Sequence, residues 1–325
     1  MSRFKLSKAK RGALPLFIGL CGPSGGGKTY SALRLATGIQ RVAGGSIAFI
    51  DTEANRALHY AEQFDFDHMP FSPPFSPLDY VEALKDCVNS GANTVVVDSM
   101  SHEHEGPGGV LEWHSAEVAR LSRAWKTSES AVQFPAWSEP KAARRQLLNF
   151  ILQQHVNLVC CFRAKRKIAL PSKAQKAAGQ RDPIDLGWMP IAGQEYAYEM
   201  TALGVLPPGA KGIPDWECAD PGSEMVIKRP SQFEGILEPG KQLSEEMGEA
   251  MARWAHGSGV SYSGMGETAI DLLAEVSDCI AMSDLELTMN NIRKSELNKA
   301  ELAALRRACS VKKKSLETRE PGEEG

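Results

Sequence analysis

The stretch Gly22-Pro23-Ser24-Gly25-Gly26-Gly27-Lys28-Thr29 constrains this chain more than any other. It matches the pattern GxxxxGK[ST] throughout. A short apolar run, Leu16–Cys21, precedes it and reads as a buried strand. Lys28–Val42 follows, with Leu33, Leu35, Ala36, Ile39 and Val42 at helical spacing and Gly44-Gly45 at its end. In a strand–loop–helix setting the glycines let backbone N–H groups turn inward around phosphates, and the helix N-terminus adds partial positive charge. The expected nucleotide-binding residues are therefore Gly22, Pro23, Ser24, Gly25, Gly26, Gly27, Lys28 and Thr29, with Tyr30 next to them. Lys28 is expected at the β- and γ-phosphates of ATP, as a catalytic cation, and the Thr29 hydroxyl on Mg²⁺.

Two acids follow at strand ends. Thr94–Asp98 (TVVVD) is β-branched and apolar without alternation, as a parallel strand buried on both faces should be. Asp98 then sits at the carboxyl edge of the sheet, where ligands bind, and can hold the Mg²⁺ shell. Ser46–Asp51 (SIAFID) is another strand, and Glu53 follows it into the same crevice. A carboxylate there can accept a proton from, or orient, the water that attacks a γ-phosphate. A capping or salt-bridged glutamate is the plainer alternative. Leu78–Ser90 and Lys141–His155 read as helices, and Leu158–Phe162 (LVCCF) as the next strand. Strands alternating with helices predict an α/β fold with a mostly parallel central sheet flanked by helices. Glu195–Leu206 and Glu224–Lys228 read as two further strands, an antiparallel extension of that sheet.

The chain has 325 residues, enough for two domains. With 42% hydrophobic and 24% charged residues it is neither disordered nor fibrous. Its longest apolar stretch, Ala13–Cys21, is far short of the ~20 residues a membrane helix needs, so no membrane partner is expected. Seven scattered cysteines without a CxxC pair argue against a disulfide framework and for a cytoplasmic location. The net charge is −3, but the cations are unevenly spread. Residues 1–13 form a basic arm, and Arg163–Arg181 holds seven cations and no acid. A solvated face is the ordinary meaning of such a run. Residues 14–255 are expected as the core, 256–266 as a Gly/Ser linker, 267–316 as a small C-terminal helical domain, and 317–325 as an acidic tail. Within that domain Ser283 with Glu286 reads as a capping box, and Asn298 with Glu301 as another cap.

The glycine loop, FIDTE around Glu53 and VVVDS around Asp98, in that order, resemble the RecA-like branch of P-loop ATPases. The resemblance spans roughly residues 14–240 and extends to compact bacteriophage ATPases found alongside single-strand annealing recombination proteins. It implies a RecA-like P-loop core, ATP hydrolysis with Glu53 as the catalytic glutamate, and a homo-oligomer. It also implies an annealing or single-strand-binding protein as a further partner, and the host cytoplasm as the location if phage-encoded. One residue departs from the pattern: where the family has a phosphate-sensing glutamine, the strand LVCCF ends in Arg163. Arg163 can sense phosphate within its own subunit, act as a catalytic finger toward a neighbour, or be a surface arginine.

The basic run begins where RecA-like recombinases place a disordered loop that binds single-stranded DNA. Lys165, Arg166, Lys167, Lys173, Lys176 and Arg181 are accordingly expected to bind DNA from a loop that lacks aromatic residues of its own. His102–Gly109 lies where the family has its first DNA-binding loop. His102 and His104 are expected to point to different sides of a strand exit, which argues against a metal pair. The expected function is ATP hydrolysis coupled to single-stranded DNA in recombination or replication. The alternatives are a duplex-DNA motor or packaging ATPase, and a nucleotide switch that binds a protein partner and no DNA.

Overall fold

The structure, a computed structural model, describes residues 14–171, 182–216 and 227–256, and individual positions between 268 and 316. The basic arm, Lys173, Lys176, Arg181, Glu224, Asn298, the acidic tail and all of the linker after His256 lie outside the described residues.

Strands with apolar residues on both faces can be stable only inside a sheet covered on both sides. The middle of β4 (Ala92–Asp98) meets that condition, since Val95, Val96 and Val97 are all fully buried. With β1 (Phe17–Gly22), β2 (Ser46–Asp51), β3 (Asp67–Pro70), β5 (Asn157–Ala169), β6 (Ile184–Pro190) and β7 (Ala202–Val205) it builds a seven-stranded sheet. The order is β3-β2-β4-β5-β1-β7, and every neighbouring pair along this path is parallel. Such pairs need crossovers, which the helices α1 (Lys28–Ala43), α2 (Pro77–Asn89) and α6 (Ser138–Gln153) supply. The core gathers residues of β1, β2, β4 and β5 with Tyr80, Leu84, Leu147 and Ile151 of α2 and α6. Between β4 and α6 the chain forms α3 (Ser101–Glu105), α4 (Val110–Trp125) and α5 (Glu129–Val132), where Val118, Leu121, Val132 and Ala136 make a small cluster of their own.

Because β5 lies between β1 and β4, the end of β5 stands between the glycine loop and Asp98. β5 does not stop there. Its first half pairs with β1 and β4, while Ala164–Ala169 runs on and pairs antiparallel with β6. This corrects the expected loop: Lys165, Arg166 and Lys167 lie on a two-stranded ribbon, with Arg166 opposite Trp188. The ladder that holds them is made with residues about twenty positions later, so no local pattern announces it.

The region after β6 also differs from expectation. Residues 194–199 form a helix, α7 (Gln194–Glu199), which buries Tyr196 and Ala197 and leaves Tyr198 exposed. The alternation of Tyr196, Tyr198 and Met200 imitates a strand. β7 follows and pairs parallel, not antiparallel, with β1. The antiparallel elements here are isolated bridges, Leu203 to Lys228 and Val205 to Asp215. Further on, α8 (Glu245–Ala255) crosses α1 so closely that neither Gly38 nor Gly248 has room for a side chain. Arg34 pairs with Glu245 at 2.6 Å and Arg41 with Glu249 at 2.9 Å along that contact.

The contacts divide the chain into two compact units, one of Pro15–Arg41 with Gly45–Ala252, the other holding Leu14, Val42–Gly44 and the described residues from Arg253 on. In the second, Leu272, Val276, Cys279, Leu285, Ile292, Leu305 and Cys309 form a separate apolar cluster. Ser283 lies inside the first turn of α9 (Met282–Lys294) and does not cap it. Among the described residues no helix is long and apolar enough to cross a membrane.

Candidate functional site

Parallel strands point their carboxyl ends to one edge, and there the termini of β1, β2, β4 and β5 surround a cleft of about 780 Å³. Its lining includes Pro23, Ser24, Gly25, Gly27, Lys28, Thr29, Glu53, Asp98 and Arg163. The glycine loop takes this course because Gly25 and Gly27 adopt φ of 83° and 91°, which side-chain-bearing residues rarely occupy. Lys28 donates to its own loop, at Pro23 O, 2.9 Å away. Gly22 and Gly26 pack against Leu206 behind the loop. Tyr30 does not line the cleft and instead contacts Tyr60 and Phe64, at ring distances of 5.8 and 5.3 Å.

Thr29 and Asp98 meet directly, with Oγ1 donating to Oδ2 at 2.5 Å. Burial pushes the Asp98 carboxyl up to about 6, and Thr29 and Lys28 pull it back only in part, while Glu53 and Asp51 push with burial. Two adjacent hard oxygens, one on a buried and undercompensated carboxylate, suit a divalent cation such as Mg²⁺.

Glu53 is held by the turn that follows β2. The buried Asp51 accepts from Glu53 N at 2.8 Å and Ala57 N at 3.0 Å, and contacts His68 Nε2 at 3.1 Å. Ala54 and Asn55 take left-handed conformations to close that turn. The Glu53 carboxylate then faces Arg163, whose Nε and Nη2 each donate at 2.9 Å. Burial alone would raise the Glu53 carboxyl, but Arg163, helped by His102 and Arg56, holds it below the usual carboxylate range. Arg163 itself is fixed where β5 leaves the sheet: its N–H donates to Ser101 Oγ at 2.9 Å and its carbonyl accepts from Ile191 N at 2.8 Å.

Ser101–Glu105 is a helical turn, not the expected strand exit, and its histidines part company. His102 Nδ1 lies 2.6 Å from Thr52 Oγ1, while His104 Nδ1 lies 2.8 Å from Arg144 Nη2. Arg144 also pairs with the fully buried Glu103 at 3.0 Å and anchors this turn to α6. Burial and then Arg144 push the His104 imidazole down to about 4, so it is neutral at physiological pH.

The cleft thus joins four of the expected elements: the glycine loop with its terminal Thr29, Asp98, Glu53 and Arg163. Sequence reasoning missed Arg56, His59, Tyr60, Ala164 and Ile191 on its walls. His59 and Tyr60 lie on a short turn seven residues or fewer beyond Glu53, and no periodicity marks them. The basic residues of the ribbon are separated from the loop by Arg163 and Ala164 and do not line the cleft. No protein-family model matches this chain, and no curated protein sequence does.

Proposed function

We propose that this protein is a Mg²⁺-dependent ATPase with a RecA-like core that acts on single-stranded DNA in phage-type recombination or replication. One observation carries the reading: a single cleft is lined by the glycine loop, the Thr29–Asp98 pair and Glu53. The inward N–H groups of the loop and Lys28 would hold the β- and γ-phosphates of ATP. Thr29 and Asp98 would hold Mg²⁺, which when bound neutralises charge on those phosphates. Glu53 would take the proton of the attacking water. In the structure it is engaged by Arg163, so turnover requires that pair to loosen. His59 and Tyr60, which also line the cleft, would supply aromatic surface for a nucleobase.

The cations Lys165, Arg166 and Lys167 would track a DNA backbone on the ribbon that Arg163 begins. A second reading, a motor on duplex DNA, gains from the same feature, because a two-stranded ribbon fits a major groove. An ATPase assay with no DNA, single-stranded DNA and duplex DNA tests both. Stimulation by single strands above duplex is the expected result. Stimulation by duplex alone favours the motor, and no DNA effect favours a nucleotide switch with a protein partner.

A further inference from the structure

His102 is locked on one edge and one face. Its Nδ1 is 2.6 Å from Thr52 Oγ1, and its ring stacks on Phe75 with centroids 4.9 Å apart and planes 18° apart. Its other nitrogen, Nε2, points at Glu53 and lies 4.0 Å from Oε1. Burial and then Arg163 keep the imidazole below its ordinary range, so the ring is neutral and carries one N–H. Neighbouring groups decide where that hydrogen sits. Thr52 Oγ1 accepts the Ser99 N–H at 2.7 Å, and its own hydrogen can go to His102 or to Ser99 O at 3.2 Å. Ser99 O already accepts from the Tyr80 hydroxyl at 3.0 Å. A carboxylate is an acceptor only, so Glu53 calls for the hydrogen on Nε2, and Thr52 then donates to Nδ1.

We infer that His102 is the positioning residue for Glu53: when Arg163 releases the carboxylate, the Nε2–H of His102 takes Oε1 and leaves Oε2 for the water. This deepens the proposed function and rests on Glu53 being its general base. The geometry supports it from two sides. Arg163 and His102 address the same oxygen, Oε1, at 2.8 and 4.0 Å, so a movement of about 1 Å exchanges one for the other. The other nearby cation, Arg56, is 69% exposed at its side chain and stands 3.8 Å from Oε2, a poorly anchored alternative. Thr52 also ties the arrangement to Asp98, since its N–H donates to Asp98 O at 2.8 Å.

Two near-isosteric substitutions separate positioning from packing. His102→Gln carries an N–H donor near the Nε2 position and gives up the acceptor at Nδ1, whose partner Thr52 can turn to Ser99 O. His102→Asn keeps a polar partner for Thr52 and lacks any group that reaches Glu53. Steady-state ATP hydrolysis is measured for both, with KM and kcat separated, alongside the wild type and Glu53→Gln. The expected result is kcat near wild type for His102→Gln. For His102→Asn it is a loss of about 10- to 100-fold in kcat with KM little changed, the scale of a misplaced catalytic group. If His102→Asn matches the wild type, or His102→Gln falls as far as His102→Asn, the assignment is overturned. Glu53→Gln distinguishes that failure from a deeper one: hydrolysis at the wild-type rate in this variant means that Glu53 is no general base at all.

Discussion

Arg163 grips Glu53 with two parallel hydrogen bonds, Nε to Oε1 and Nη2 to Oε2, each 2.9 Å. Both residues belong to the same chain, and the ribbon that follows Arg163 is thereby tied to the proposed base.

Removing that arginine has a directional consequence. Arg163 holds the Glu53 carboxyl below the usual range against the upward push of burial. In Arg163→Ala the carboxyl of the nucleotide-free enzyme rises, so it protonates at higher pH and the acid limb of the kcat/KM profile moves upward. A pH–rate profile of ATP hydrolysis checks this, and an unmoved acid limb contradicts it. Mixing Arg163→Ala with Lys28→Ala subunits should restore no activity, because the contact is intramolecular.

Asp98 makes the nucleotide-free protein sensitive to pH. Its folded value of about 6 lies above the ordinary 3.8, so the folded state binds the proton more tightly. That contribution is full below about pH 4 and fades as pH rises to about 6. A shift of roughly two units corresponds to about 3 kcal/mol, lost by neutral pH. Asp98→Asn should therefore raise the melting temperature of the nucleotide-free protein at pH 7 and flatten its pH dependence between 4 and 6. The same variant should lose Mg²⁺-dependent stabilisation by ATP. A lower melting temperature at pH 7 than the wild type would contradict the burial argument.

The buried pair Glu103–Arg144 makes a prediction about stability. Arg144 is 6% exposed at its side chain and Glu103 0%. Arg144→Met leaves a buried carboxylate without its partner, at a cost of about 3–5 kcal/mol. Glu103→Gln combined with Arg144→Met should recover part of that loss. Urea denaturation of the single and double variants gives the comparison, and additive losses would show that the two residues do not depend on each other.

Much of the sheet is legible in the sequence because its signals are local. The glycine loop announces its own geometry, and Val95–Val97 announce a strand buried on both faces. Asp98 and Glu53 follow from standing at strand ends. The rest depends on partners distant in the chain. The continuation of β5 through Lys165–Lys167 is held by β6, so charge count alone reads as a loop. Tyr196 and Tyr198 alternate like strand residues, yet burial of Tyr196 beside Ala197 and Met200 selects a helix. The partners of Arg163, His102 and Arg144 are side chains that only the folded topology brings together.

The ribbon carries the expected DNA contacts at Lys165, Arg166 and Lys167. Replacing all three with Gln should weaken single-stranded DNA binding and leave the basal ATPase largely intact, since they lie outside the cleft. Each phosphate contact contributes about 0.7 to the salt slope for single strands, so three lost contacts should lower it by roughly 2. An unchanged slope in a binding titration across salt concentrations would remove the ribbon from the DNA interface.

The most direct test is the rate of ATP hydrolysis by Glu53→Gln at saturating Mg²⁺ and ATP, with nucleotide binding followed by thermal shift. The expected result is a drop of about 10²–10⁴-fold, the worth of a general base, with the ATP-induced stabilisation retained. Lys28→Ala in parallel should lose that stabilisation, roughly 2.7 kcal/mol in the wild type at about 100 Kd of ATP. Hydrolysis by Glu53→Gln at the wild-type rate would show that Glu53 is not the general base.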